Sequence, residues 1–361
     1  MTEYLNLPTG EQHERIATAL EAMAKTRPQD DYTNSPGSKY IIAGDKDAGF
    51  YGFVQPKEFG EIAGNVDGKK AMAGDNLALA IGLAQGTAIN SNTPWMKFSS
   101  KGKVLFVPVK PLRHSVSWDS IYKQGAVFGD DSDNKSAPGS RSGSLISING
   151  NTNAIVVSGE NNWNTPGGVI AAVGDKIILS GFKTTSNNGE FTVKSVGDTE
   201  LIVEETLSTE AVGNYNAYVM KKGTGVKQDR KVSIGDNNYR VRLLKGGKEN
   251  PARTTGTDRG AIGSEWNDLI VPMHIESKLK TWDYKPYIDD SEYWGADLTN
   301  QDLIILNSNG QGFSSWMQET ADSTSYRRLF RGFSGVGYLF WSSTWLVNSN
   351  YGWRPVLELQ S

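Results

Sequence analysis

Short apolar runs cut by glycine-bearing turns constrain this chain more than any other feature. Asp175-Lys-Ile-Ile-Leu-Ser-Gly-Phe, Gly189-Glu-Phe-Thr-Val-Lys-Ser-Val and Thr199-Glu-Leu-Ile-Val-Glu-Glu are strand-like. Asn187-Asn188-Gly189 and Gly197-Asp198 separate them with hairpin chemistry. Glycine supplies 40 of 361 residues, about 11% against a usual ~7%. Helical periodicity is scarce by comparison, so the expected fold class is mainly β.

One helix is expected near the start. Thr9 and Gln12 have capping-box spacing, and Ile16, Leu20 and Met23 recur on one face before Pro28 stops the pattern. It is either a helix packed on its own domain or a docking helix. The polar, glycine-rich stretch that follows extends to residue 75. It is either an irregular β segment or an extended arm; so long a stretch with little regular structure favours attachment to something larger, so 1–75 is expected to be an N-terminal helix and attachment arm. Beyond it, Trp95-Met-Lys-Phe and Lys103-Val-Leu-Phe-Val-Pro flank a turn containing Gly102, which predicts a hairpin with a bulge. Ser117 caps a short helix carrying Trp118, Ile121 and Tyr122.

Two polar stretches, 130–144 and 221–230, read as joints. They bracket an inserted small β-barrel or sandwich over 140–225. The flanks, 76–130 and 231–361, form one further domain. That second flank holds seven of the ten tryptophans and strand signals at Tyr239-Arg-Val-Arg-Leu-Leu, Tyr326-Arg-Arg-Leu-Phe-Arg and Trp353-Arg-Pro-Val-Leu-Glu-Leu. A helix is expected from Ser264 through Ile270, with Trp266 facing the core.

Several chemistries are excluded or disfavoured. There is no cysteine, so disulfides, thiolate metal sites and cysteine nucleophiles are out. Three histidines leave little for a metal centre, and the net charge of −3 argues against a broad nucleic-acid surface. No apolar run reaches the ~18 residues of a membrane span, and Met1-Thr-Glu-Tyr-Leu-Asn does not read as a signal peptide. Glu204-Glu205 and Asp289-Asp290 are adjacent pairs, which point apart on a strand and make no acid–base dyad. His114 lacks a Gly-x-Ser-x-Gly elbow, and no glycine pair precedes a phosphate-loop lysine. No catalytic residue, metal or cofactor is expected.

The aromatic cluster before the C-terminus is the candidate site. Tyr338, Phe340, Trp341, Trp345 and Tyr351 stand among glycine and serine, with Asn348 and Asn350 nearby. Rings on a polar loop supply contact area at low entropy cost and suit sugar stacking. The competing reading is that two or three of them plug the core.

At this point a resemblance enters. Ser264-Glu265-Trp266, then Arg327-Arg328-Leu329-Phe330-Arg331-Gly332, then the 333–351 loop and Gly352-Trp353-Arg354-Pro355-Val356-Leu357-Glu358-Leu359 resemble C-type-lectin-like domains of the formylglycine-generating-enzyme type. Phage and bacterial surface proteins contain such domains. The similarity extends back over 95–118 and 239–247, so it covers about half the chain, split by the insert. The insert is similar to small β modules of phage virion proteins, and Leu7-Pro-Thr-Gly-Glu-Gln resembles the start of phage appendage proteins. The departures are a Trp266-Asn267-Asp268 triplet on a helix rather than a calcium-binding strand, and the missing catalytic cysteine.

The resemblance implies a non-enzymatic virion protein: a fibre or a tail or head appendage subunit with an α+β lectin-like domain that recognises host-surface glycan. It implies contacts with capsid, neck or tail proteins and a homo-oligomer, a trimer among the candidates, without nucleic acid or membrane insertion. The alternative is a decoration, neck or baseplate scaffold without receptor binding.

Overall fold

In a computed structural model of the chain, the structure describes residues 34–63, 68, 70–130, 138–157, 171, 173–220, 226–248, 252, 263–279, 292–304, 312–321 and 327–360. The fold is mainly β. Its centre is a nine-stranded sheet with the strand order Ala43–Gly44, Ala48–Val54, Trp95–Ser100, Lys103–Pro108, Val356–Leu359, Asn237–Arg242, Lys231–Ile234, Glu61–Ile62 and Lys70–Ala71. Alternation along one strand explains the layering. Val104 and Phe106 face one core while Leu105 and Val107 face the other. Both faces are therefore buried, which is why Val104-Leu-Phe-Val reads as an unbroken apolar run.

The first core packs on helices Gly74–Ile81 and Trp118–Lys123. Ser117 caps the latter, its hydroxyl accepting from the Ser120 N–H. Gly82 ends the former in the left-handed region at φ 81°, a conformation open to glycine. The second core packs on the helical turns from Trp266 to Leu279, which begin as a π-helix over Trp266–Ile270. A six-stranded sheet lies alongside, in the order Leu339–Ser343, Arg327–Arg331, Ser314–Thr320, Tyr351–Trp353, Arg113–His114 and Thr87–Ala88. It feeds Trp316, Phe330 and Trp353 into the first core and Met317, Leu329 and Leu339 into the second.

A closed six-stranded antiparallel barrel spans Pro138 to Met220. Its strands pair only with one another, around a core that includes Ile146, Ile148, Ile177, Phe191, Val193 and Leu201. The chain leaves and rejoins the body at neighbouring points. The Arg230 N–H donates to the Gly125 carbonyl, and buried Gln228 bonds the Val127 N–H and the Tyr122 carbonyl.

Three expectations need correction. Residues 138–144 belong to the first barrel strand, Pro138–Asn149, rather than to a joint. The expected arm is partly sheet: its strands between 43 and 71 complete both edges of the nine-stranded sheet, because their backbone groups pair there. The 95–108 hairpin closes through the two residues Lys101-Gly102 without a bulge. The helix expected over 9–25 lies outside the described residues. Among the described residues no helix is long and apolar enough to cross a membrane.

Candidate functional site

The aromatic stretch folds as an edge rather than as a loop. Arg327–Arg331 pairs antiparallel with Leu339–Ser343, the outermost strand of its sheet. In this register Leu329 sits opposite Trp341 and Phe330 opposite Phe340. The pleat then separates the rings. Trp341 turns toward the second core with Leu329 and Leu339, and Phe340 lies on the face of Phe330 and the first core. An edge strand has no neighbour on one side, so its rings can curl around it. Phe340 and Trp341 do so, with parallel rings whose planes differ by 6° and whose centroids are 5.4 Å apart.

Each of the seven expected residues has a distinct position. Phe340 is 45% exposed and Asn348 is exposed. Tyr338, Trp341, Trp345, Asn350 and Tyr351 are half-buried. The Arg327 guanidinium lies 3.6 Å from the centroid of the Trp341 ring, a cation–π contact that occupies that ring. Tyr351 faces inward: its ring meets Trp316 at 5.0 Å and Phe330 at 5.3 Å, and its hydroxyl accepts from Ser342 Oγ at 2.9 Å. Tyr338 bridges Phe333 and Phe340, at 5.9 and 6.0 Å.

The asparagines act first on the backbone. Asn348 Oδ1 accepts from the Asn350 N–H at 2.9 Å, and the Asn350 carbonyl accepts from the Ser314 N–H and hydroxyl. These bonds hold the turn that returns the chain to Tyr351–Trp353. The expected role of both as ligand hydrogen-bond donors and acceptors therefore competes with a turn-forming role. The expected picture of rings carried on an irregular loop is corrected: Phe340 and Trp341 are strand residues.

Three residues complete the surface without having been singled out in the sequence. Leu346 and Val347 are 43% and 51% exposed beside Asn348, and Arg327 holds Trp341. Leu346-Val347 did carry a signal, two aliphatics ahead of a polar Asn-Ser-Asn run. Arg327 carried none beyond its place in a strand. The surface is supported from behind. The Thr344 carbonyl accepts from the Asp119 N–H at the start of the 118–123 helix, and the Arg328 guanidinium lies 4.3 Å from the centroid of the Trp118 ring. Burial pushes the Asp119 carboxyl up to about 6 and draws Arg328 down to about 10.

Beneath this edge the stretches that carry the resemblance converge. Arg331 and Arg354 stand 5.6 and 5.4 Å from the centroid of the buried Trp266 ring. Arg331 Nη2 donates to Asn267 Oδ1 at 2.7 Å, so this triplet residue is spent on the arginine. Arg354 donates to the Leu303 carbonyl, and its Nε and Nη1 have no hydrogen-bond partner among the described residues. Burial draws its pKa down to about 9.

The arrangement can bind an apolar or ring-bearing surface through Phe340, Leu346 and Val347. Among the described residues no group of three or more histidine, aspartate or glutamate side chains is placed to hold a metal. Comparison with models of known families, with curated proteins and with solved structures finds no match to this chain.

Proposed function

We propose that the chain is a phage virion protein, a fibre or a tail or head appendage subunit, whose lectin-like body presents the 338–351 edge to host-surface glycan. The observation that carries this reading is the exposed ring of Phe340 beside Leu346, Val347 and Asn348. Clustered exposed apolar groups mark contact surfaces. A sugar ring stacks on an aromatic face while its hydroxyls reach nearby polar groups. Trp266, Arg331 and Arg354 support the lectin-like part, since motif stretches distant in sequence meet at one indole.

The test is titration of the purified protein with a panel of bacterial capsular, O-antigen and wall polysaccharides. The reading expects one of them to bind, with affinity at least about tenfold weaker for Phe340→Ala, a loss of ~1.4 kcal/mol. No binding across the panel, or equal affinity for the variant, counts against it.

A second reading has its own observation. Leu339–Ser343 is an edge strand, and edges pair readily with another chain. In that case the same surface docks on a neighbouring virion subunit and the protein is a scaffold. Failure of Phe340→Ala to assemble, with no glycan bound, favours it.

A further inference from the structure

A second surface, separate from the aromatic edge, is built for charge. A cleft of about 200 Å³ opens between the 101–103 turn, the 128–130 segment and the 245–248 loop. Its floor is an ion-pair network. Arg242 grips Glu265 through two bonds of 2.8 Å and donates from Nε to Glu358 at 2.9 Å. Glu358 also accepts from Lys103 at 2.9 Å and from Arg240 at 3.4 Å. Burial opposes each of these charges, yet the partners prevail. The Arg242 pKa is raised, and those of Glu265 and Glu358 are lowered. The floor is thus charged, fixed and nearly neutral overall.

The rim is not neutral. Lys101, Lys245 and Lys248 line it and are exposed. Neither Lys101 nor Lys248 has an ion-pair partner among the described residues. Lys101 is also held in an unusual backbone. It and Gly102 have φ of 50° and 76°, the positive pair that a two-residue hairpin turn requires. The turn tip is tied down as well. The N–H groups of Lys101 and Gly102 donate to the carbonyls of Asp47 and Lys46. On the opposite side Gly129 lets the chain close over the floor, since a Cβ there would stand 2.8 Å from Arg242 Cδ. Within the cleft six cationic side chains face four anionic ones, in a chain whose net charge is −3.

We infer that this cleft binds an acidic glycan, a sugar chain whose carboxylates or phosphodiesters sit on the lysine rim. A concave site with excess charge of one sign concentrates ligands of the other. The mixed lining argues for a sugar over a uniform polyphosphate. Asp130 and Asp268 stand among the cations with Ser100, Ser264 and Gln318. Four carboxylates in the lining would repel a strand with a phosphate at each step. They accept hydrogen bonds from sugar hydroxyls between spaced charges.

The experiment is calorimetric titration of the full chain with two probes, oligogalacturonate and glycerol-phosphate oligomers, at low and high salt. Neutral dextran and a duplex DNA oligonucleotide serve as comparators. The inference expects at least one acidic probe to bind, with affinity falling as salt rises, and dextran not to bind. The preferred probe tells carboxylate from phosphodiester. Lys101→Ala with Lys248→Ala should weaken binding about tenfold, with Tm unchanged. Phe340→Ala should leave this binding intact, so the cleft and the aromatic edge stand or fall separately. No binding of either acidic probe, equal binding of DNA, or binding unmoved by the lysine changes would overturn the inference.

Discussion

Two sets of aromatic rings near the C-terminus have opposite fates. Trp266, Trp316 and Trp353 are fully buried, while Phe340, Trp341 and Trp345 lie at or near the surface. Ring type does not separate them, since tryptophan occurs in both sets. Topology does. Trp316 and Trp353 stand on strands with a partner on each side, and Trp266 stands on a helix pressed between sheet and hairpin. Two of the inner indoles find a backbone acceptor, Trp266 on the Val336 carbonyl at 2.8 Å and Trp316 on the Val116 carbonyl at 2.7 Å. The outer rings belong to the last strand of a sheet and the turn after it, where one side has no strand neighbour among the described residues. The same kind of side chain is sealed inside the fold in one place and reaches the surface in the other.

Truncating the inner rings should have the largest effect. Trp266→Ala removes the ring shared by Arg331 and Arg354, and Trp353→Ala opens the first core. Each should cost about 3–5 kcal/mol in denaturant unfolding. A loss under ~1 kcal/mol at Trp266 would deny it the central place.

Next in size is a buried charge on the strand of Trp316. Glu319 accepts from the Gly246 N–H at 2.9 Å, and burial pushes its carboxyl up to about 7. A folded-state pKa above the unfolded one gives stability that is full below about 4.5 and is lost as pH rises through about 7. Glu319→Gln keeps an acceptor without the titration. Its stability relative to wild type should therefore rise by up to about 2–3 kcal/mol between pH 4.5 and 8. A pH-independent difference would contradict this.

The outer set should respond weakly. Trp341→Ala loses a half-buried ring and its Arg327 contact, a cost of about 1 kcal/mol. Phe340→Ala should stay within about 0.5 kcal/mol. Smallest of all is the effect of removing the barrel. Joining residue 130 to 226 through a short Gly/Ser linker should leave the Tm of the body unchanged, because the barrel has its own core and the body residues on either side of it, Gly125 and Arg230, are hydrogen-bonded to each other. Loss of the folded body would show that the barrel is integral to it.

Local chemistry decides how much of this could be read in advance. Gly197-Asp198 lies in the short turn between two strands that pair, so that barrel hairpin was legible, whereas the strands ending at Ser180 and starting at Gly189 are joined by the longer 181–188 connection rather than by a turn at Asn188-Gly189. The Ser117 cap and the 95–108 hairpin were legible for the same reason, although the hairpin's turn was read with a bulge it lacks. Two-residue strands were not. Thr87–Ala88 and Arg113–His114 are defined only by pairing within a sheet whose other strands lie beyond residue 313. The edge character of Leu339–Ser343 is likewise a property of the whole sheet, so a glycine-rich stretch read as a loop. Buried arginines were hidden too, because Arg331 and Arg354 owe their place to a ring far away in sequence. The charged cleft gathers residues from at least five separate stretches, and only Lys245-Gly-Gly-Lys248 hints at it locally.

We propose that the exposed edge serves recognition while the buried rings serve the fold. The most direct measurement is adsorption to host cells by particles carrying Phe340→Ala together with Val347→Ser, with assembly scored separately. On the proposed reading, particles form in normal number and their adsorption falls by about tenfold or more. Unchanged adsorption, or a failure of the particles to assemble, would contradict it.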